Sequence, residues 1–292
     1  MLYVILSICC SVIILVLLKL AKRYHIDVLQ AVAWSYFSLI IITWVVYKPK
    51  ISTGILTSTL SNYNCLLLAV LMPVMFLIIK SSIQATGIIL TVIATRLSLV
   101  VPLILTFLWF GKALNNTQLL GIGLSLAAII CAIPWKKGRG SKKSTGAWFY
   151  LLAVFVGVGI VDVLTDKLIL SAAVPNITSL FITFVLAFIV SMIFVVIQIS
   201  RNKTRFSIPH VLIGFVLGVA NFGRVFFYLK AMKALTTQPS GFFLAINIGI
   251  VTLGVLVALL IFNEKISVVN KIAIVLTLVA ILVLSNKFIN AV

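Results

Sequence analysis

The chain has 292 residues, of which 63% are hydrophobic and 9% are charged, and its mean hydropathy is +1.31. Soluble domains are roughly 45–50% apolar and about 25% charged, so this composition excludes an ordinary soluble globule and predicts lipid-embedded helices. Lys and Arg number 23 against 4 Asp and Glu, which gives a net charge of +19. Most of the basic residues fall in short gaps between apolar runs. This pattern is typical of membrane protein loops and argues against nucleic acid as a partner.

Ten apolar runs are long enough to cross a bilayer as helices, which takes roughly 20 residues. They cover residues 2–20, 28–47, 63–80, 84–110, 117–135, 147–170, 177–199, 209–231, 238–262 and 268–287. The fourth run, 84–110, is long enough to tilt or to bend near Pro102. The sequence therefore predicts an all-α integral membrane protein with ten transmembrane helices.

The second half of the chain repeats the pattern of the first half. When Glu264 is placed on Lys112, Phe262 falls on Phe110, and both segments lead into a further apolar run. Five helices per repeat is an odd number, so the second repeat inserts upside down, as in many secondary transporters. We predict a first five-helix repeat at 1–135, a basic linker at 136–146 and a second repeat at 147–292. Lys and Arg are more numerous in the odd-numbered loops, which predicts that both termini lie outside the cell.

Two short stretches carry a resemblance to a known family. Ser98-Leu-Val-Val-Pro102, followed by Phe110-Gly111, resembles the fourth-helix pattern of the EamA-like branch of the drug/metabolite transporter superfamily. Phe262-Asn263-Glu264-Lys265-Ile266-Ser267 resembles the end of that family's ninth helix. The resemblance implies a secondary carrier of small metabolites or drugs that works by alternating access. The sequence departs from the family's pattern at Lys112, where Glu is common, and at Gly254, where Pro is frequent.

Charged residues inside the apolar runs mark the candidate binding site, because each costs at least about 2.5–3.5 kcal/mol at mid-helix. Arg96 lies near the centre of the fourth run, and Arg224 lies near the centre of the eighth. A guanidinium fits carboxylate or phosphate, so we predict an anion-recognising site at the interface of the two halves. The predicted substrate contacts are Arg96, Arg224, Asn221, Tyr228, Thr95 and Asn247. The alternative is that both arginines are structural and pair with Asp or with backbone carbonyls.

The acidic residues inside the runs suggest a second role. Asp162 and Asp166 are four residues apart in the sixth run and so share one helix face. Two carboxylates this close suit proton coupling. The alternative is that Asp162 pairs with an Arg while Asp166 lies at the membrane interface beside Lys167. Glu264 is predicted as a turn residue that helps start the tenth run.

Other patterns predict packing rather than chemistry. Gly214 and Gly218 form a small-xxx-small pair in the eighth run, which favours close helix approach, and Gly157 and Gly159 make the sixth run thinner. The second run carries four aromatic residues that either line a cavity or anchor the helix at the interface. They are Trp34, Tyr36, Phe37 and Trp44.

The function predicted from these features is export or exchange of a small anionic or zwitterionic metabolite. The partners are this substrate, the bilayer of the plasma or inner membrane, and protons as the candidate coupling ion. His25 and His210 are isolated near the ends of runs, and no nucleotide-binding loop occurs, so we predict no metal, no cofactor and no enzyme activity. The alternatives are an exporter of hydrophobic or cationic drugs and a lipid-binding or scaffold subunit that transports nothing.

Overall fold

The computed structural model of the chain consists of α-helices joined by short connections. It describes residues 2–49, 53–110, 116–132, 147–170, 176–201, 206–234, 239–264 and 267–285. The twelve helices of these residues are α1 (Leu2–Arg23), α2 (Val28–Tyr47), α3 (Thr53–Leu60), α4 (Tyr63–Thr86), α5 (Ile88–Leu97), α6 (Val100–Phe110), α7 (Asn116–Ala132), α8 (Ala147–Leu170), α9 (Asn176–Ser200), α10 (Ile208–Ala234), α11 (Pro239–Leu260) and α12 (Val268–Ser285). Helices lie in all ten runs identified by hydropathy, and the short α3 lies between the second and third runs. Within the described ranges the fold is all-helical, as the composition predicts.

Seven segments of the described chain are long and apolar enough to cross a membrane. They are Leu2–Arg23, Val28–Tyr47, Tyr63–Thr86, Ile88–Leu105, Trp148–Thr165, Ile177–Ser200 and Ile208–Met232. The shorter apolar helices are Asn116–Ala132, Leu244–Leu260 and Val268–Leu284. Large apolar side chains are exposed on these helices; Ile193 and Val196 of α9 are 53% and 58% exposed. Because water disfavours such a surface, the chain is a membrane protein whose outer face contacts lipid.

The fourth run is interrupted near its middle. α5 ends at Leu97, and α6 begins at Val100. Pro102 has no backbone N–H with which to bond the carbonyl of Ser98, and the N–H of Val101 donates to that carbonyl instead, at 2.9 Å. The predicted bend near Pro102 is therefore confirmed, as a helix break at residues 98 and 99.

Local hydrogen bonds decide where α2 begins and ends. The side chain of Asp27 accepts a hydrogen bond from the N–H of Leu29 at 2.9 Å, which satisfies one of the unpaired donors of the first turn. At the other end Lys48 adopts a left-handed conformation, with φ of 44°, and its N–H donates to the carbonyl of Trp44. One of the four acidic residues of the chain thus serves as a helix cap.

The chain forms two compact units, each assembled from separate stretches of sequence. Unit 1 contains Met1–Val16, Ser81–Ile160 and Arg224–Val292, and unit 2 contains Leu17–Lys80 and Val161–Gly223. Each unit therefore draws on both halves of the sequence. These units are not the two predicted five-helix repeats, which are the sequence halves 1–135 and 147–292. The repeats stay a prediction. The predicted linker, 136–146, lies outside the described residues.

In unit 1, helices from the first half of the sequence pack along helices from the second half. α5 packs along α11, and α7 packs along α12, which also contacts α5 and α11. Gly121 of α7 lies against Leu284 of α12, and Gly254 of α11 lies against Val92 of α5. Small residues at these positions let the helix axes approach closely.

In unit 2, α2 is packed against α9 and α10. A Cβ atom on Gly214 would lie 2.6 Å from the carbonyl oxygen of Ala31, and one on Gly218 would lie 2.6 Å from Cβ of Ser38. Both glycines therefore lie against the backbone of α2, at a distance that a larger residue does not permit. The close packing predicted from the small-xxx-small pair is confirmed.

Candidate functional site

Arg96 lies in the last turn of α5, just before that helix ends. Its guanidinium Nη1 donates a hydrogen bond to Oδ1 of Asn247 on α11, at 3.2 Å. Asn247 is buried, with 4% of its surface exposed, and Arg96 is half-buried. The two residues come from opposite halves of the sequence, so the structure brings together two of the predicted substrate contacts.

The position of Arg96 at a helix C-terminus favours its positive charge. The last carbonyls of a helix carry partial negative charge, which stabilises a nearby cation by roughly 0.3–1 kcal/mol. The amide oxygen of Asn247 orients the guanidinium, but it is neutral, so this contact does not compensate the charge. A guanidinium held in this way can bind a carboxylate or phosphate with two parallel hydrogen bonds.

Hydroxyl groups around Arg96 bond to the backbone of α5. Oγ1 of Thr95 donates to the carbonyl of Val92 at 2.8 Å, and Oγ of Ser98 donates to the carbonyl of Thr95 at 2.7 Å. The N–H of Ser98 donates to the carbonyl of Ala94 at 3.2 Å. The two bonds from Ser98 satisfy carbonyls among the last four of α5, which lack a partner from within the helix, whereas the carbonyl of Val92 lies one turn earlier. Thr95 was predicted to contact substrate; here its hydroxyl hydrogen serves the helix backbone, and its oxygen remains an acceptor.

The break between α5 and α6 is covered by α8. A Cβ atom on Gly159 would lie 2.8 Å from the carbonyl oxygen of Ser98. Only glycine permits α8 to approach the backbone of the break this closely. One of the two glycines that make the sixth run thinner therefore packs beside the end of α5 that carries Arg96.

The predicted contacts on α10 differ in exposure. Asn221, Arg224 and Tyr228 are spaced three and four residues apart on this helix, as the sequence requires. Asn221 is buried, with 7% of its surface exposed, whereas Arg224 is exposed and Tyr228 is 36% exposed. The helix face that these three residues share is therefore buried at Asn221 and exposed at Arg224 and Tyr228.

Arg224 is connected to the region of Arg96 through α1. Oγ of Ser7 on α1 donates a hydrogen bond to the backbone carbonyl of Arg224, at 3.0 Å. The next residue of α1, Ile8, lies against Gly249 of α11, two residues beyond Asn247. Adjacent residues of α1 thus contact both helices, which places Arg224 and Asn247 at a similar level along α1.

The two aspartates of the sixth run lie on α8. Asp162 is half-buried, and the side chain of Asp166 lies outside the described part of the structure. Lys167, the next residue, is exposed. The hypotheses of proton coupling and of an ion pair at Asp162 both stay open.

Glu264 has a different role from the one predicted. Its carboxylate accepts hydrogen bonds from the N–H groups of Ile88 and Ile89, at 2.9 and 3.3 Å, and so caps the N-terminus of α5. The start of α12 is capped by Ser267, whose Oγ accepts a hydrogen bond from the N–H of Asn270 at 3.2 Å. The prediction that Glu264 helps start the tenth run was wrong, because sequence neighbours do not reveal a cap that acts 176 positions away.

Comparison with known proteins finds a relative that matches nearly the whole chain. A protein of Haemophilus influenzae is 31% identical over 280 residues, which cover 94% of this chain and 94% of the relative. The chain belongs to the family of this Haemophilus protein. No family model matches the chain.

The similarity to this relative extends over nearly the whole chain. The shared length is the same fraction of both proteins, so it includes the helices of both units rather than one segment. The family member is described as "Uncharacterized protein", which names no ligand or activity.

Proposed function

We propose that the protein is a secondary active transporter that exports or exchanges a small anionic or zwitterionic metabolite by alternating access. The observation that carries this proposal is the hydrogen bond between Arg96 and Asn247. It holds a guanidinium among apolar helices at a point where two halves of the sequence meet. Charged groups at such depth are expensive, and they mark substrate or ion pathways in membrane proteins.

The chemistry of the pair favours an anionic group on the substrate. Arginine presents a planar fork of donors that matches carboxylate and phosphate. One of its hydrogen-bond partners is the amide of Asn247, which helps to fix the orientation of the fork. The chain has 23 basic residues and only 4 acidic ones, of which Asp27 and Glu264 cap helix N-termini. The resulting net charge of +19 favours the approach of anions to the protein as a whole.

The break beside Arg96 supports transport rather than a static role. Discontinuous helices in secondary transporters place backbone ends and polar side chains at the substrate site. Here α5 ends one residue beyond Arg96, and α6 begins at Val100.

The pairing of helices supports a ten-helix inverted repeat of the kind implied by the EamA-like resemblance. In an inverted repeat of five helices, each run has its counterpart five runs further along the chain. The second and seventh runs pack as α2 and α9, the fourth and ninth as α5 and α11, and the fifth and tenth as α7 and α12. Each pair joins helices five runs apart, which is the spacing that the repeat requires. The membrane proposed is the plasma or inner membrane, and Asp162 and Asp166 are the candidates for proton coupling.

A cluster of aromatic rings in unit 2 favours the second candidate function, export of hydrophobic cations. The ring of Phe37 lies 5.5 Å from those of Trp34 and Phe188, and 6.0 Å from that of Phe215. Aromatic faces attract cations and flat apolar ligands. The two candidates make opposite predictions about the charge of a stabilising ligand.

Thermal unfolding of the detergent-purified protein against a metabolite panel tests the proposal. A ligand at 100 times its Kd stabilises the folded state by about 2.7 kcal/mol, which raises Tm by several degrees. We expect compounds bearing carboxylate or phosphate to raise Tm of the parent protein, and R96A to lose this response. R96K should lose most of it, because an ammonium keeps the charge without the planar fork.

The matched control is R201A, since Arg201 is exposed at the end of α9. It should respond to anions as the parent does. Stabilisation of the parent by lipophilic cations alone would contradict the anion proposal and favour the drug exporter. An equal loss of response in R96A and R201A would show that net charge, rather than the Arg96 site, is responsible.

A further inference from the structure

The N-terminus of α5 is capped by a residue that is distant in sequence. Gly87 precedes α5, has φ of 94° and supplies no side-chain cap. The carboxylate of Glu264 takes that role through its bonds to Ile88 and Ile89. A Cβ atom on Gly87 would lie 2.7 Å from Oε2 of Glu264, so the carboxylate occupies the space that a side chain would need. The glycine and the glutamate therefore fit each other.

Glu264 is also attached to the end of α11. Its backbone N–H donates to the carbonyl of Ala258 at 3.0 Å, and the preceding Asn263 is left-handed, with φ of 48°. This geometry ends α11 in the manner of a C-terminal cap. One residue thus ends α11 with its backbone and begins α5 with its side chain.

The two helices joined by Glu264 are the helices that carry Arg96 and Asn247. Contacts between them occur at three levels: Glu264 with Ile88, Gly254 with Val92, and Asn247 with Arg96. The levels are four residues apart on α5, which is about one helical turn each. The helices are therefore antiparallel, and a slip of one turn, about 5.4 Å, would separate Arg96 from Asn247.

We propose that Glu264 is a positioning residue that sets the register of α5 against α11, so that Arg96 meets Asn247. The functional meaning of that pair rests on the proposed transport function, whereas the register itself does not. In the first half the equivalent position is Lys112, an ammonium that accepts no N–H bond. A carboxylate is therefore present at position 264 and not at position 112 of the sequence.

A disulfide between α5 and α11 measures the register without any ligand. The Cβ atom built on Gly254 lies 3.8 Å from Cβ of Val92, which matches the usual Cβ separation in disulfides. We expect V92C/G254C to form this bond rapidly under mild oxidation, with the linked peptides identified by mass spectrometry. Adding E264A should slow its formation about fivefold or more, the population change expected from losing a helix cap. E264Q keeps one acceptor oxygen and should fall between.

The matched control is D27A, which removes a carboxylate cap from α2 in unit 2. It should leave the rate of V92C/G254C oxidation unchanged. The proposal is overturned if folded E264A protein oxidises at the parent rate, or if D27A slows oxidation equally. If E264A does not fold, G87A displaces the carboxylate from the other side and should give the same slowing; the parent rate in G87A overturns the proposal.

Restoring the ligand response of E264A with the disulfide would show that Glu264 positions α5 against α11 rather than only stabilising the fold. With L-glutamate and inorganic phosphate as probes, V92C/G254C/E264A should respond in Tm when oxidised and lose the response when reduced. Equal responses in the two redox states contradict the role of Glu264 in positioning the pair. If the parent protein responds to neither probe, the proposed function fails on these ligands, and the oxidation rates alone decide the register.

Discussion

Arg96 shows how the environment of one residue can define a site. Its charge is favoured by the C-terminal end of α5 and oriented by a neutral amide. Two of the four carboxylates in the chain, those of Asp27 and Glu264, cap helix N-termini. The sequence could identify Arg96 and Asn247 as candidates from their depth and chemistry, but only the fold shows that they touch.

Replacing Asn247 with Asp places a carboxylate against the guanidinium of Arg96. We expect N247D to keep Tm close to that of the parent, because the contact with the guanidinium becomes a charge-assisted hydrogen bond of the same geometry. It should weaken the response to anionic ligands at least about tenfold, or roughly 1.4 kcal/mol, since the carboxylate occupies the anion position. The measurement is the ligand concentration that gives half of the maximal Tm shift.

N116D is the control for this exchange, because Asn116 is exposed at the start of α7. It adds the same charge away from Arg96 and should leave the ligand response unchanged. An undiminished anion response in N247D would show that the anion does not bind at this pair.

At the scale of helices, glycine positions decide which elements can pack closely. Gly218 lies against α2, and Gly159 lies against the break after α5. Hydropathy alone does not reveal which side of α8 or α10 packs against a neighbouring helix, because both helices are apolar on most faces. The small-xxx-small pair on α10 was visible in the sequence, whereas its partner helix was not.

Two Gly to Ala substitutions should have opposite effects on stability. In G218A the new Cβ would lie 2.6 Å from Cβ of Ser38, and the backbone of α2 must move, which costs about 1–3 kcal/mol. In G123A the new Cβ meets nothing within 4 Å, and the better helix propensity of Ala should stabilise α7 by up to about 1 kcal/mol. Thermal unfolding in one detergent compares both with the parent.

A rise in Tm for G218A would show that α10 does not lie against α2 as closely as described. A fall in Tm for G123A would show that Gly123 has a neighbour outside the described residues or in the membrane. The pair thus tests the packing of both units with substitutions of identical size.

At the scale of the whole molecule, the number of membrane crossings decides where the two termini lie. Ten crossings place both termini on one side, whereas an odd number places them on opposite sides. The excess of basic residues in the odd-numbered loops predicts that this side is outside the cell.

Reporter fusions at the two termini test both statements in a bacterial host. We expect alkaline phosphatase to be active at either terminus and green fluorescent protein to remain dark there, because the first folds outside and the second in the cytoplasm. A fusion after Arg201, in the seventh loop, should show the reverse behaviour. Fluorescence at both termini would reverse the orientation and keep the even count. Opposite results at the two termini would contradict ten crossings.

The sequence by itself determined that this protein is embedded in a membrane, that its fold is helical, and where most of its helices lie. Hydrophobicity and length can be read from a local stretch of sequence. An apolar run of about 20 residues must be helical to cross a bilayer, because its backbone has no water to bond. Tertiary structure decided which runs pair, that Arg96 meets Asn247, and that Glu264 caps α5 instead of starting the tenth run. This pair and this cap join atoms that are close in space but 151 and 176 positions apart in sequence, and no local pattern records such a contact.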